Sequence, residues 1–225
     1  MVQHVHKISM DDRIQGLILH FAACCVEARK PLSRTLLYKY LFSVDFGHFA
    51  LHGSPITDFR YKKEQYGPVP VEALYYLEEL VEVGDLQVQE REHTALGRLY
   101  TAYATDFELE SIDLRDFFND AEVQTIVSTS QAFLGKTAAT ASEESHCQYP
   151  WLSTPNKGYI ALEGARHCTF EWLNYYGEGK DMDEHEETKA IRDEVQRNLK
   201  LNRLMKEVGT KKKTLKITTK PLSAE

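Results

Sequence analysis

His48 and His52 stand four residues apart on a stretch of helical periodicity, the spacing at which two imidazoles on one face hold zinc. Phe49 occupies the place of the glutamate that follows the first histidine in that motif, and no third ligand is evident, so the two are expected to be helix-boundary residues. Gly135-Lys136-Thr137 ends like a phosphate-binding loop, yet the motif needs a glycine five residues before its second glycine, and Ser130 stands there. The pairs His146-Cys147 and His167-Cys168 offer four soft ligands, but neighbours on a helix diverge by about 100°. Structural zinc sites leave two to four residues between paired ligands. His4 and His6 are expected to be a solvated terminal pair. Ser145-His146 are sequence neighbours, whereas nucleophilic triads are assembled in space from separated segments. The acids from Asp106 to Glu122 and from Asp181 to Glu187 fit solvated faces. Cys24 and Cys25, adjacent on an apolar stretch, suit reduced core thiols better than a disulfide framework, and the same is expected of Cys147 and Cys168. The expectation is a chain with no catalytic residue, no metal and no cofactor.

The residues left over are aromatics and turn formers: Phe59, Tyr61, Tyr66, Gly67-Pro68-Val69-Pro70 and Trp151. Such side chains anchor protein interfaces and equally fill cores, and the sequence leaves both open. Charge favours a protein partner. The net charge is -7, but nine Lys or Arg stand against Glu207 alone between Arg197 and Lys220. That segment carries +8, which leaves -15 for the rest. An acidic body repels phosphates and steers towards basic proteins.

The elements that must position these residues follow from periodicity. Ile14, Leu17, Ile18, Phe21, Ala22 and Cys25 define a helix over Met10 to Arg29. A second helix runs from Thr35 to His52, capped by Ser33 and stopped by Gly53. Phe59, Tyr61 and Tyr66 predict an extended segment, closed by a rigid turn over Gly67 to Pro70. A helix over Val71 to Val83 then precedes two alternating strands, Asp85 to Arg91 and Leu99 to Thr105, an order that outlines a winged helix. Helices are expected over Asp120 to Leu134 and Thr137 to Ser145, and one more short helix between Gly158 and Tyr176. After a Gly177 to Asp181 linker, Ile191, Val195 and Leu199 mark an amphipathic helix from Glu184 to Val208, followed by a basic tail. The fold class is therefore mainly α with a small antiparallel β element, an α+β helical domain over 1–180 with an appended helix and tail over 181–225. The length, with 42% hydrophobic and 27% charged residues, excludes whole-chain disorder. No apolar run approaches a membrane span and the start lacks the pattern of a signal peptide, so a cytoplasmic location is expected.

Five separated pieces resemble the Panacea, or SocA-like, antitoxin domain. They are Leu36 to Phe49, Gly53-Ser54-Pro55-Ile56-Thr57, Tyr66-Gly67-Pro68-Val69-Pro70, Phe133-Leu134-Gly135-Lys136-Thr137, and Ser145-His146 with Pro150-Trp151. The resemblance implies an antitoxin that binds and neutralises a co-encoded bacterial or phage toxin. The toxins implied include nucleotide-synthetase-like proteins that modify transfer RNA and inhibit translation. It implies no catalytic residue. Contact with the toxin is expected through Phe59, Tyr61, Tyr66, Pro68 and Trp151, and through Ile191, Val195 and Leu199. Two rivals stand beside this expectation: a winged-helix nucleic-acid-binding regulator, and an adaptor that hands the toxin to a protease. Acidity disfavours nucleic acid as a partner.

Overall fold

A computed structural model describes residues 10–93, 97–170 and 172–173. The expected amphipathic helix over Glu184 to Val208 and the basic tail lie outside the described residues.

Helix α1 (Met10–Glu27) leads through β1 (Leu32–Ser33) into α2 (Arg34–His52). The start of α2 is fixed by Ser33, whose side chain accepts the Leu36 N–H, and its end by Gly53 in the left-handed region at φ +79°. Every residue from Leu36 to His48 is buried. Enclosed on all sides, α2 carries apolar residues around its whole circumference, with Lys39, Ser43, Asp45 and His48 as buried polar members, so its hydrophobic pattern is only weakly one-sided. Phe21 of α1 stacks on Tyr40 with ring centroids 3.7 Å apart, and Phe133 meets both rings edge-on. Phe133 belongs to α4 (Asp120–Leu134), so these three rings lock three helices together. The opposite flank of α2 carries Phe42 and Phe46, which pack against Tyr61 and, through Phe42, against Phe170. Each fully buried aliphatic side chain here, such as Leu17, Leu37 or Leu41, contributes about 1.5–3 kcal/mol.

Two small antiparallel sheets flank this helical core. After α2 come β2 (Tyr61–Glu64) and β3 (Gly67–Pro70), then α3 (Ala73–Val83), β4 (Gln87–His93) and β5 (Arg98–Ala104). The first sheet has the order β1-β5-β4, with Leu32 opposite Tyr103 and Val88 also opposite Tyr103. The succession α1, β1, α2, α3, β4, β5 with β1 closed onto β5 is the winged-helix outline expected from the sequence, with the β2–β3 hairpin inserted between α2 and α3. The second sheet has the order β3-β2-β6, in which β6 (Tyr159–Ile160) pairs with Tyr61 and Lys62. Short 3-10 turns at Leu109–Ser111 and Leu114–Asp116 lead into α4, followed by α5 (Ala138–His146) and α6 (Tyr149–Ser153).

One local expectation is corrected. Gly67 to Pro70 is strand β3 and not a turn; its two prolines are tolerated because β3 is an edge strand with β2 as its one sheet neighbour. The short helix expected between Gly158 and Tyr176 is present as a 3-10 helix at Leu162–His167, preceded by β6. Tyr149 to Trp151 begin α6, with Pro150 in its first turn.

Candidate functional site

The sequence pieces quoted above converge on α2. Asp45, fully buried, accepts from the Ile56 and Thr57 N–H groups at 3.0 and 2.7 Å, from Thr57 Oγ1 at 2.5 Å and from Tyr61 Oη at 2.6 Å. Burial pushes its carboxyl up to about 6, with the bonds from Thr57 and Tyr61 opposing that rise. All four donors come from the segment that enters β2, so Asp45 is a clamp on that segment. Lys39, six residues earlier on the same helix, donates to the Pro68 carbonyl at 2.8 Å and is lowered to about 7 by burial. Gly67 lies between Lys39 and Ser145 at φ +102°; a Cβ there would stand 2.6 Å from Lys39 Cε and 2.6 Å from Ser145 Oγ. The Gly-Pro pair thus marks where the hairpin backbone touches α2 and α5.

Lys63, opposite Pro68 in the β2–β3 register, donates to the carbonyls of Trp151 and Thr154, both at 2.7 Å. Its Nζ also lies 4.0 Å from the centroid of the Trp151 ring, which stacks on His146 at 4.2 Å. Lys63 therefore fastens the hairpin to α6 as Lys39 fastens it to α2. These contacts are structural, and they explain why turn residues, aromatics and basic residues recur together along the chain.

Among the described residues, those that chemistry singled out form no catalytic arrangement. His20 and Cys24 approach at 3.5 Å, a pair the sequence reading missed although their i, i+4 spacing permits it. Burial lowers His20 to about 4 and raises Cys24 to about 11, giving a neutral imidazole beside a neutral thiol. A nucleophilic cysteine needs the reverse. His48 donates from Nδ1 to the Ser54 carbonyl at 2.7 Å, and its ring lies 4.5 Å from that of His52. Among the described residues no group of three or more His, Cys, Asp or Glu could hold a metal ion. Gly135 ends α4, Thr137 caps α5 by accepting the Thr140 N–H, and Lys136 pairs with Glu144.

The residues expected to contact a partner divide sharply. Phe59 and Tyr61 are 5% and 1% exposed, and Pro68 is also buried, which corrects the expectation that they face a partner: their aromatic and turn character serves the core. Tyr66, at the tip of the β2–β3 hairpin, is 67% exposed, and Trp151 is half-buried. Ile191, Val195 and Leu199 lie outside the described residues.

An exposed surface that the sequence reading passed over lies on α3 and the β4–β5 hairpin. Ala73, Leu77 and Leu80 turn inward, which leaves Val71, Leu74, Tyr75, Glu78 and Glu82 along the solvent side. Tyr75 is 62% exposed. On the hairpin, the register puts Val88, Glu90 and Glu92 opposite Tyr103, Thr101 and Leu99. Val88 and Leu99 are exposed, whereas Tyr103 is buried at the base, with Glu78 and Arg34 in its electrostatic environment. The signal available in sequence was the coincidence of Leu74 and Tyr75 with positions outside the inward-facing spacing of Ala73, Leu77 and Leu80.

The fold is a small α+β domain in which Lys39, Asp45 and Lys63 hold the β2–β3 segment to α2 and α6. The family model for the antitoxin SocA-like Panacea domain matches residues 37–152, just over half of the chain, and the chain belongs to that family. No curated protein and no solved structure matches it. No helix among the described residues is long and apolar enough to cross a membrane.

Proposed function

We propose that this chain is the antitoxin of a toxin–antitoxin pair and neutralises a co-encoded toxin by direct protein–protein binding. Membership of the SocA-like Panacea family carries this reading. Charge supports it: the chain is acidic overall, and a toxin that works on nucleic acid presents cations where it meets phosphates. A translation inhibitor that modifies transfer RNA fits that description. The domain over 1–180 is the neutralising body, and the segment over 181–225 supplies a second grip through Ile191, Val195 and Leu199. Tyr66 and Trp151 remain contacts of the same proposal.

The winged-helix outline favours one other reading, a duplex-binding regulator. Its counterweight is α3, which occupies the place of the reading helix. From Val71 to Leu86 the chain carries Glu72, Glu78, Glu79, Glu82 and Asp85 and no Lys or Arg. Phosphates are bound by clustered cations, so this helix opposes a duplex.

The test is co-expression of the chain with the product of each reading frame that adjoins its gene, scoring growth and co-purification with and without residues 181–225. Rescue of a toxic neighbour through a stable complex is the expected result. If the chain relieves the toxicity of no neighbour and retains none, the antitoxin reading is refuted.

A further inference from the structure

We propose that the solvent side of α3 and the adjoining face of the β4–β5 hairpin form the toxin-binding surface, and that they cover the basic, phosphate-binding face of the toxin. This rests on the antitoxin reading above. Three observations carry it.

First, the apolar exposure is organised. Leu74 and Tyr75, side by side on the outward face of α3, are exposed to 39% and 62%, Val71 in the bend just before the helix to 39%, and Val83 ends the helix at 65%. Val88 and Leu99, at 51% and 69%, extend the same exposure onto the hairpin. Exposed apolar groups concentrated on two neighbouring elements mark an interaction site, and a tyrosine within such a patch is a typical anchor.

Second, the surround is acidic. Glu78 and Glu82 continue the outward face of α3, and Glu90 and Glu92 share the hairpin face of Val88. Arg34 is the cation that the electrostatics of Tyr103 place beside this face. Glu72 is already tied to Arg60 at 2.6 Å.

Third, the occupants can be told apart by charge. A nucleic-acid duplex would set phosphates against Glu78, Glu82, Glu90 and Glu92. A second copy of the same face would set those acids against themselves. A basic protein surface with an apolar centre satisfies both the glutamates and the exposed side chains. In a winged helix that reads DNA, these two elements meet phosphates; here they are built to meet what binds phosphates.

The experiment uses the full chain and the adjoining-frame product whose toxicity it relieves. Tyr75→Ala and the double variant Glu78→Lys with Glu82→Lys are each expected to weaken binding at least tenfold and to lose growth rescue. The charge reversal should also flatten the decline of affinity with salt. All three residues are exposed, so thermal midpoints should stay at the wild-type value. Tyr159→Ala, on the second sheet, is expected to bind as the wild type does. If the wild type rescues and both α3 variants bind unchanged, or if Tyr66→Ala alone abolishes binding, the surface assignment is overturned while the antitoxin reading stands. If the wild type rescues from no neighbour, both fall. A 20-base-pair duplex titrated in parallel should show no binding that depends on Tyr75; such binding would overturn the assignment in favour of nucleic acid.

Discussion

Lys39 makes stability depend on pH in a direction opposite to that of most proteins near neutrality. In the fold its ammonium is 1% exposed and donates to the Pro68 carbonyl, and burial lowers it from 10.5 to about 7. In the unfolded chain it keeps its ordinary value and stays charged up to about pH 10. Between these limits the unfolded state binds more protons, so stability rises with pH. The contribution of Lys39 is fully present above 10.5 and is lost as pH falls through 7. Integrated from pH 7 to pH 8, below the value of about 8.5 at which thiols of the unfolded chain ionise, the gain is about 1 kcal/mol. With a urea slope of about 2 kcal/mol/M, that moves the unfolding midpoint up by about 0.5 M. Urea titrations at pH 7, 7.5 and 8, followed by tryptophan fluorescence, would show the rise in the wild type. Lys39→Met keeps the length of the side chain and removes the charge, so its midpoint should be flat over the same range. A wild type without the rise, or a variant that keeps it, would refute the assignment of a buried, uncompensated ammonium at this position.

On the acid side two groups oppose each other. His20, lowered to about 4, withdraws about 3 kcal/mol as pH falls from 6.5 through 4, while Asp45, raised to about 6, returns about 3 kcal/mol as pH falls from 6 towards 3.8. Asp45→Asn should therefore steepen acid unfolding, and His20→Leu should make it shallower, both read from thermal midpoints between pH 4 and 6.5. Gly47→Ala places a Cβ 2.1 Å from the Trp172 ring, so the indole must move and give up its 2.8 Å bond to Ser43 Oγ. A loss of about 1–3 kcal/mol with an altered tryptophan emission is expected. Gly67→Ala combines a φ of +102° with a clash against Lys39 and Ser145 and should cost at least about 2 kcal/mol in urea titrations. Asn119→Ala removes the side chain that caps α4 through the Ala121 and Glu122 N–H groups and should cost about 1 kcal/mol by the same measurement.

Helices with one apolar face were legible in the sequence because their periodicity is imposed by the core they cover. α1 runs Met10–Glu27 where Met10 to Arg29 was expected, and Ser33 caps α2 as read. β4 and β5 were legible from their alternating pattern, although its apolar members Val88 and Leu99 are exposed and the buried residues of the pair are Ala102 and Tyr103. The strands that escaped are those whose pairing is decided far away. β1 and β6 have two residues each and exist because Tyr103 and Tyr61 lie opposite them. The prolines hid β3, since a residue without an N–H signals a turn unless an edge position excuses it. The binding residues were harder still. Phe59 and Tyr61 look like interface anchors by type, and only tertiary packing shows that Asp45 and Phe46 claim Tyr61 for the core. The α3 surface went unread because Leu74 and Tyr75 sit beside Ala73 and Leu77 in one apolar run, and a run alone does not say which of its members face inward.

The covering of α2 by residues from the far end of the domain has a consequence in time. Phe42 and Phe46 are enclosed by Tyr61, Phe170 and Trp172, and Tyr61 is held in turn by Ile160. The ribosome adds roughly 5–20 residues per second, so on the order of ten seconds pass between the synthesis of Phe46 and that of Trp172. Over that interval the nascent chain carries an uncovered aromatic flank, which is a substrate for trigger-type chaperones and for aggregation alike. The family match ends at residue 152, before any of Ile160, Phe170 or Trp172. A chain released in that gap bears the whole family signature and lacks the residues that close the aromatic flank of α2, so the signature alone does not amount to the folded domain.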